Sequence, residues 1–375
     1  MGARMNRRSF LRGTAGAMLA VPALPLLQGC EPASRTNQSA AGVASTLIAR
    51  IGSRLTEVLR LAALAPSAHN AQPWNVTIET RHQWRIGSDR RRWLPAVDPE
   101  NREMLLAIGA FLENLIVAAK SWGYEVDYRV IAATPFDPDL IAINLAAAAP
   151  MVNGIEAIRR RRTLRKGFDT REIRAADFTD ITHGLAGFSF HGCGTAPANY
   201  LVEGTLEANR TQAARSAARE ELASWIRWSD EEAERHLNGL TPASMEIEGF
   251  AGWYVRNFYT RNDVMTDAFR KTTLDQVAAK VRNCGGWIVM TSEGNDVAGL
   301  IEAGRSFQRF FLRVRDKRIA VHPMSQLLEE QPWRSDVATQ LGLGDPVQFI
   351  LRVGYRDPYP APVSLRMPLA AYVRA

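Results

Sequence analysis

Two short stretches concentrate residue types that could do chemistry. Ala65 to Trp74 reads A-P-S-A-H-N-A-Q-P-W. Its prolines stop a helix and its polar content is too high for a core strand, so it is built to present polar atoms beside an aromatic wall. Arg159 to Lys166 reads R-R-R-R-T-L-R-K, six cations in eight positions. Cations suit a helix C-terminus, but six exceed what a cap needs. No other constellation competes. The histidines at 69, 82, 183, 191, 236 and 322 show no H-E-x-x-H spacing, and there is no C-x-x-C, G-x-S-x-G or P-loop. No metal site and no side-chain nucleophile are expected, and His69 is read as an ordinary loop residue.

The elements that must position these stretches follow from periodicity. Leu55, Val58, Leu59, Ala62 and Ala63 recur at helical spacing, and Pro66 disfavours a helical Ala65. The first stretch therefore begins where a buried helix, running from Thr46, stops. By itself it also reads as a capped helix end entering an edge strand. Asn75 to Thr80 alternates like a half-buried strand, with Trp84 to Ile86 as its hairpin partner. Asp98-Pro99 caps a long helix carrying Leu105, Ile108, Leu112, Leu115, Ile116 and Ala119 and ending near Gly123. A strand over Val126 to Ala132 follows, then an Ala-rich segment to Pro150. A helix from Ile155 is expected to run through the arginine cluster to a C-cap at Gly167. Gly204 to Trp228 reads as helix, Trp287 to Thr291 and Val347 to Tyr355 as strands, and Glu302 to Val314 as helix. Leu240 to Lys271 is aromatic-rich without a clean period and reads as a lid over something flat. The run from Gly304 resembles that from Gly109 in apolar spacing, and the match persists to Val321 against Val126. Two distant copies of one unit are implied.

A chain of 375 residues, 46% hydrophobic and 23% charged, is ordinary for a globular protein and large enough for two core-forming halves. The expected boundaries are 46–150 and 151–375, with the lid at 240–271. Four arginines and no acid fall in the first 30 residues, leaving 42 basic against 39 acidic residues beyond them. The net charge therefore gives no reason to expect a nucleic-acid partner. Arg7-Arg8 with Phe10 and Leu11, then an apolar run from Thr14 to Leu27, looks like a twin-arginine export signal over 1–30. The export machinery becomes an expected partner and the periplasm, or an exported site, the expected location. Leu27-Gln28-Gly29-Cys30 resembles a lipobox, whose cysteine would be lipidated and anchor the chain. Gln28 departs from that pattern, and anchoring stays open. Residues 31–45 read as a flexible tether. Cys193 and Cys284 allow one disulfide and no larger framework.

Together, A-P-S-A-H-N-A-Q-P-W, R-R-T-L-R and the tail R-M-P-L resemble the flavin-binding elements of the nitroreductase superfamily, over roughly Leu55 to the C-terminus. With the loop ahead of the arginine run, the order resembles the Acg-type subgroup, in which one long chain imitates the usual homodimer. The resemblance implies an α+β nitroreductase-like fold of two pseudo-repeated halves, each an antiparallel sheet flanked by helices. It also implies FMN as cofactor and a monomer with an internal dimer-like interface. Because the converse pair of motifs is absent, one complete FMN site and one lost site are expected.

By the same resemblance, Arg161, Thr163 and Arg366 face the phosphate. Arg162 reaches phosphate or ribityl chain, and Arg165 points at the pyrimidine edge. Pro66, Ser67, Ala68 and Asn70 approach ring and ribityl chain, whereas Gln72 and Trp74 hold the loop in shape. Pro323, Ser325 and Gln326 lie where main-chain donors meet the flavin N5 and O4 edge, and Lys280 faces the pyrimidine. The implied activity is an exported FMN-dependent oxidoreductase passing electrons to a small electron-poor acceptor, a nitroaromatic or a quinone. The alternative is a flavin-sequestering protein with a lid-covered ring and little turnover.

Overall fold

The computed structural model describes residues 41–375 apart from 152 and 153. The expected export signal, the lipobox cysteine and the tether as far as residue 40 lie outside the described residues. The end of the expected tether is already ordered as helix, Ala41–Ile51, in keeping with the helix preference of its alanines. Gly52 at φ 86 then turns the chain into the helix Ser53–Ala62.

Two long helices, Arg102–Ser121 and Val297–Arg313, cross at the centre of the molecule. Their contact is set by backbone. A Cβ on Gly109 would stand 2.0 Å from the Ile301 carbonyl oxygen, and one on Gly304 would stand 2.1 Å from the Leu106 carbonyl oxygen. Only glycine permits that approach. The two contacts are reciprocal: Gly109 corresponds to Gly304, and Leu106 to Ile301, at the same spacing of 195 residues. An internal pseudo-symmetry passes through the crossing, as at an interface between identical subunits. Buried polar pairs fix its register, with Gln308 Nε2 donating to Asn114 Oδ1 at 2.7 Å and Arg305 meeting Glu113 at 3.0 Å. By length and composition the first helix could cross a membrane, but 83% of that stretch is buried inside the protein. It is a core helix.

The sheets repeat the same design. In the first, β1 (Trp74–Ile78), β2 (Gln83–Ser88), β3 (Tyr124–Val130) and β4 (Asp139–Ala147) lie in the order β3-β4-β2-β1. In the second, β5 (Phe188–His191), β6 (Gly286–Thr291), β7 (Ile319–Pro323) and β8 (Val347–Tyr355) lie in the order β7-β8-β6-β5. The second sheet is wholly antiparallel, as expected. The first departs from that expectation, because β9 (Val373–Arg374) adds to β1 in parallel, Val76 opposite Val373. The C-terminal tail thus crosses from the second half into the sheet of the first. Leu59, Phe111, Ile288, Phe310, Leu351 and Tyr372 belong to one continuous core.

Several expected boundaries move. The helix from Ile155 ends at Arg160, and Arg161 is extended at ψ 132. Gly167 is therefore not its C-cap, and the arginine run is mostly irregular chain. The expected helix from Gly204 begins earlier and breaks at Arg215, giving Ala196–Ala214 and Ser216–Trp225. β4 and β5 were not foreseen as strands: β4 lies in an Ala-rich segment without a clean alternation, and β5, although it alternates, is only four residues long. Replacing Gly109 or Gly304 by alanine forces the two backbones apart and should cost about 2–4 kcal/mol. Chemical denaturation of Gly109→Ala checks this, and an unchanged midpoint would refute the crossing.

Candidate functional site

The loop after Ala62 is held in an unusual shape. His69, Asn70 and Gln72 all have positive φ, at 47, 53 and 55°, a conformation non-glycine residues keep only when their surroundings enforce it. Side chains supply the enforcement. Ser67 Oγ accepts from the Gln72 amide at 2.9 Å. Gln72 Nε2 donates to Leu237 O and its Oε1 accepts from the Met367 amide, both at 3.0 Å. Asn70 Nδ2 donates to Gly239 O and Leu365 O, each at 3.1 Å. Trp74 is fully buried against Phe111, with ring centroids 5.1 Å apart, so the roles expected of Gln72 and Trp74 agree with their surroundings.

Two arginines bolt the same loop. Arg366 donates to Asn70 Oδ1 at 2.9 Å and to the Leu64 and Ala65 carbonyls at 3.1 Å. Arg161 donates to Leu64 O at 3.0 Å and lies 5.0 Å over the Phe311 ring. Both are buried, and burial pushes Arg161 down to about 10.

Beside this loop opens a cavity of about 850 Å³. Of the thirteen cofactor contacts expected from the sequence, nine line it: Pro66, Ser67, Ala68, Thr163, Arg165, Lys280, Pro323, Ser325 and Gln326. Asn70, Arg161, Arg162 and Arg366 do not. Their polar atoms face loop and tail carbonyls instead, and Arg162 donates to Ala361 O at 2.5 Å. Leu106, Ala107 and Ala110 of the first central helix and Phe307 and Phe311 of the second form an apolar floor. Phe349 extends it, stacked on Phe307 at 3.9 Å. The opposite wall comes from Leu240, Met245, Ile247, Val255, Tyr259 and Phe269 and runs on to Lys280, past the expected end of the lid at Lys271.

Charge is divided along the cavity. Arg165 is held by Ser244 O at 2.7 Å from its side chain and by Glu246 Oε2 at 2.5 Å from its amide. Glu246 also receives the Lys166 amide at 2.9 Å and lies 3.7 Å from Arg162. This buried carboxylate organises the arginine run, and sequence reasoning missed it because it comes from the lid segment. Burial lowers Arg165 and Lys280 below their ordinary values, with Arg352 adding to the effect on Lys280. Burial, then the Arg165 charge, brings His69 down to about 4. Burial, Arg352 and Arg165 hold His322 well below its usual range. Both histidines line the cavity and are neutral at pH 7. His69, read from sequence as an ordinary loop residue, has a buried Nδ1 with no hydrogen-bond partner.

At another part of the wall lie Glu103 and Glu329, a second pair that the sequence did not single out. Burial and the neighbouring Glu329 raise Glu103 well above the usual carboxylate range, and burial raises Glu329. Burial of two neighbouring carboxylates favours one proton held between them, against the Arg102 guanidinium 3.2 Å from Glu103. The cavity thus joins fixed cations, an apolar floor with small residues at 107 and 110, and a protonated acid, a combination suited to a planar ligand with a polar, electron-rich edge. A raised acid stabilises the fold fully below its unfolded pKa, and that stabilisation is lost as pH rises above it. Glu103→Gln should therefore gain in Tm relative to the wild type as pH rises above the ordinary glutamate range, about pH 4–5. A difference in Tm independent of pH would contradict the shared proton.

No family model matches the chain. It is 25% identical over 329 residues to PigM of Serratia sp. (strain ATCC 39006), covering 80% of this chain and 88% of PigM. It is 25% identical over 327 residues to acg of Mycobacterium tuberculosis, covering 84% of this chain and 93% of acg. Both relatives carry provisional names as NAD(P)H nitroreductases. Among solved structures, a chain from Anabaena variabilis provisionally named a nitroreductase aligns at TM-score 0.42 and 10% identity, over 80% of this chain and 88% of that one. The FMN-dependent nitroreductase NfnB of Mycobacterium smegmatis aligns at TM-score 0.37 and 15% identity, over 59% of this chain and 96% of NfnB. The chain thus has nitroreductase-family homologues, among them PigM and acg, single chains that it matches along most of their length.

Proposed function

We propose that the chain is an exported FMN-dependent oxidoreductase of nitroreductase type, which passes electrons to a small electron-poor acceptor, a nitroaromatic or a quinone. The observation that carries this reading is the convergence of the 66–69 loop, Thr163 and Arg165, and the 323–326 segment on one cavity with an aromatic floor. Names borne by the relatives point the same way. The residues fit the ring of a flavin: the small side chains of Ala107 and Ala110 lie in the apolar floor, and Arg165 and Lys280 bring cations to the cavity. Arg161 and Arg366 do not line the cavity; they converge on Leu64 O and would act on the phosphate end by bracing the loop, while Ser67 and Thr163 offer it hydroxyl groups.

When bound, FMN supplies the hydride and electron chemistry. The chain supplies the surroundings. Arg165 and Lys280 stabilise negative charge at the ligand's polar edge, and Phe307, Phe311 and Leu106 keep water from the floor. Glu103 and Glu329 hold a proton at a carboxyl oxygen on the same wall. Export by Arg7-Arg8, with or without a lipid at Cys30, would put the protein where nicotinamide donors are scarce, which leaves its electron donor open. The sequestering alternative draws on the long cover supplied by residues 240–280.

Purified protein reconstituted with FMN should be yellow, and a colourless product ends both readings. Arg161→Ala combined with Arg366→Ala should weaken flavin retention through the loop that both arginines brace, with a melting curve run alongside. A folded double variant that binds FMN as tightly as the wild type refutes that bracing role. Arg165→Ala should keep the flavin and lower its midpoint potential by about 30–60 mV. Yellow protein that no donor reduces anaerobically, but that is reduced once the cover is trimmed, selects sequestration over turnover.

A further inference from the structure

At the edge of the second sheet, β5 pairs with β6 so that His191 stands opposite Trp287. Just beyond the ends of these two strands, in the turns that follow His191 and precede Gly286, lie Cys193 and Cys284. Their side chains meet. The two sulfurs are 3.8 Å apart, and Cys193 Sγ–H donates to the Cys284 carbonyl at 3.3 Å. Cys193 is exposed and Cys284 buried, and neither is bonded to another cysteine.

We propose that Cys193 and Cys284 are the site of a disulfide that ties the root of the cavity's cover to the edge of the second sheet. Cys284 lies three residues beyond Val281, the last residue of the helix Asp267–Val281. That helix brings Phe269, Thr272, Thr273, Gln276, Val277 and Lys280 to the cavity. Arg352 already holds the same turn, donating to the Lys280 carbonyl, to Asn283 O at 3.3 Å and to Arg165 O at 2.6 Å. A covalent tie there secures one end of the cover and leaves the exposed helix Gly249–Phe258 as the end that can move. The inference is independent of the flavin reading.

The oxidant is a disulfide of low molecular weight or of a thiol oxidase. Cys193, the exposed thiol, loses its proton and attacks one sulfur of that disulfide, forming a mixed disulfide and releasing the other sulfur as thiolate. Cys284, within reach, then attacks Cys193 Sγ and expels the second thiolate. The protein loses two electrons and two protons, and the oxidant becomes two thiols. Although the residue is exposed, its sulfur is half-buried against Cys284, and that burial, then the neighbouring Cys284, pushes the Cys193 thiol up to about 12. The first attack is correspondingly slow, and a strongly oxidising disulfide is required.

The test uses the full chain, equilibrated with oxidised glutathione or a strongly oxidising protein disulfide, digested without reductant and mapped by mass spectrometry. A peptide linking 193 to 284, two hydrogens lighter than its reduced parts, is expected. Accessible thiols under denaturing conditions should fall from three per chain to one. Reductant should lower Tm by about 5 °C in the oxidised wild type and leave Cys193→Ser unmoved. Two alkylatable thiols at 193 and 284 after prolonged oxidation, or a stable glutathione adduct at Cys193 that Cys284 does not resolve, would overturn the proposal.

Discussion

The close approach of two backbones at Gly109 and Gly304 is the constraint on which the rest depends. Because a methyl group at either position would collide with a carbonyl oxygen about 2 Å away, the helices pack closer than side chains ordinarily allow. Each sheet flanks this pair, and the strand order repeats from one to the other. The cavity opens beside the same crossing, floored by Leu106, Ala107 and Ala110 from one helix and Phe307 and Phe311 from the other. A change in helix separation would therefore alter both the core and the width of the cavity.

The second organising feature is a buried polar network around Ala65 to Gln72. Three residues with positive φ have no sequence-local reason to stay there. They are kept by Arg366, Asn70 and Gln72, which reach the tail and the 237–239 turn. These bonds tie the first half to the last dozen residues, as does the parallel pairing of β9 on β1. Breaking one partner in such a network leaves the others buried and unsatisfied, which costs more than the bond itself contributes. The loop, the tail and the 237–239 turn are therefore expected to behave as one unit.

Electrostatic separation inside the cavity follows from where these elements end. Burial lowers Arg165 and Lys280, burial and the neighbouring arginines hold His69 and His322 well below their usual range, and burial raises Glu103. One charged edge, a neutral floor and a protonated acid are thus offered to a single ligand, without a metal or a side-chain nucleophile being invoked.

The long central helix, the β1–β2 hairpin, β8 and the 195-residue spacing were legible in the sequence because periodicity, proline and glycine act over a few residues or along an element. The residue types for the loop, the arginine run and the 323–326 segment were legible for the same reason. The end of the helix at Arg160, the parallel β9 and the carboxylate of Glu246 were not, since each depends on partners distant along the chain. What the sequence by itself determined was which segments carry binding chemistry. Only the tertiary structure decided that Arg165 and Lys280 face the cavity while Arg161 and Arg366 hold the loop. A guanidinium turns toward whichever acceptors the fold brings within reach, and here the Leu64 carbonyl lies 97 residues from Arg161 and 302 from Arg366 along the chain.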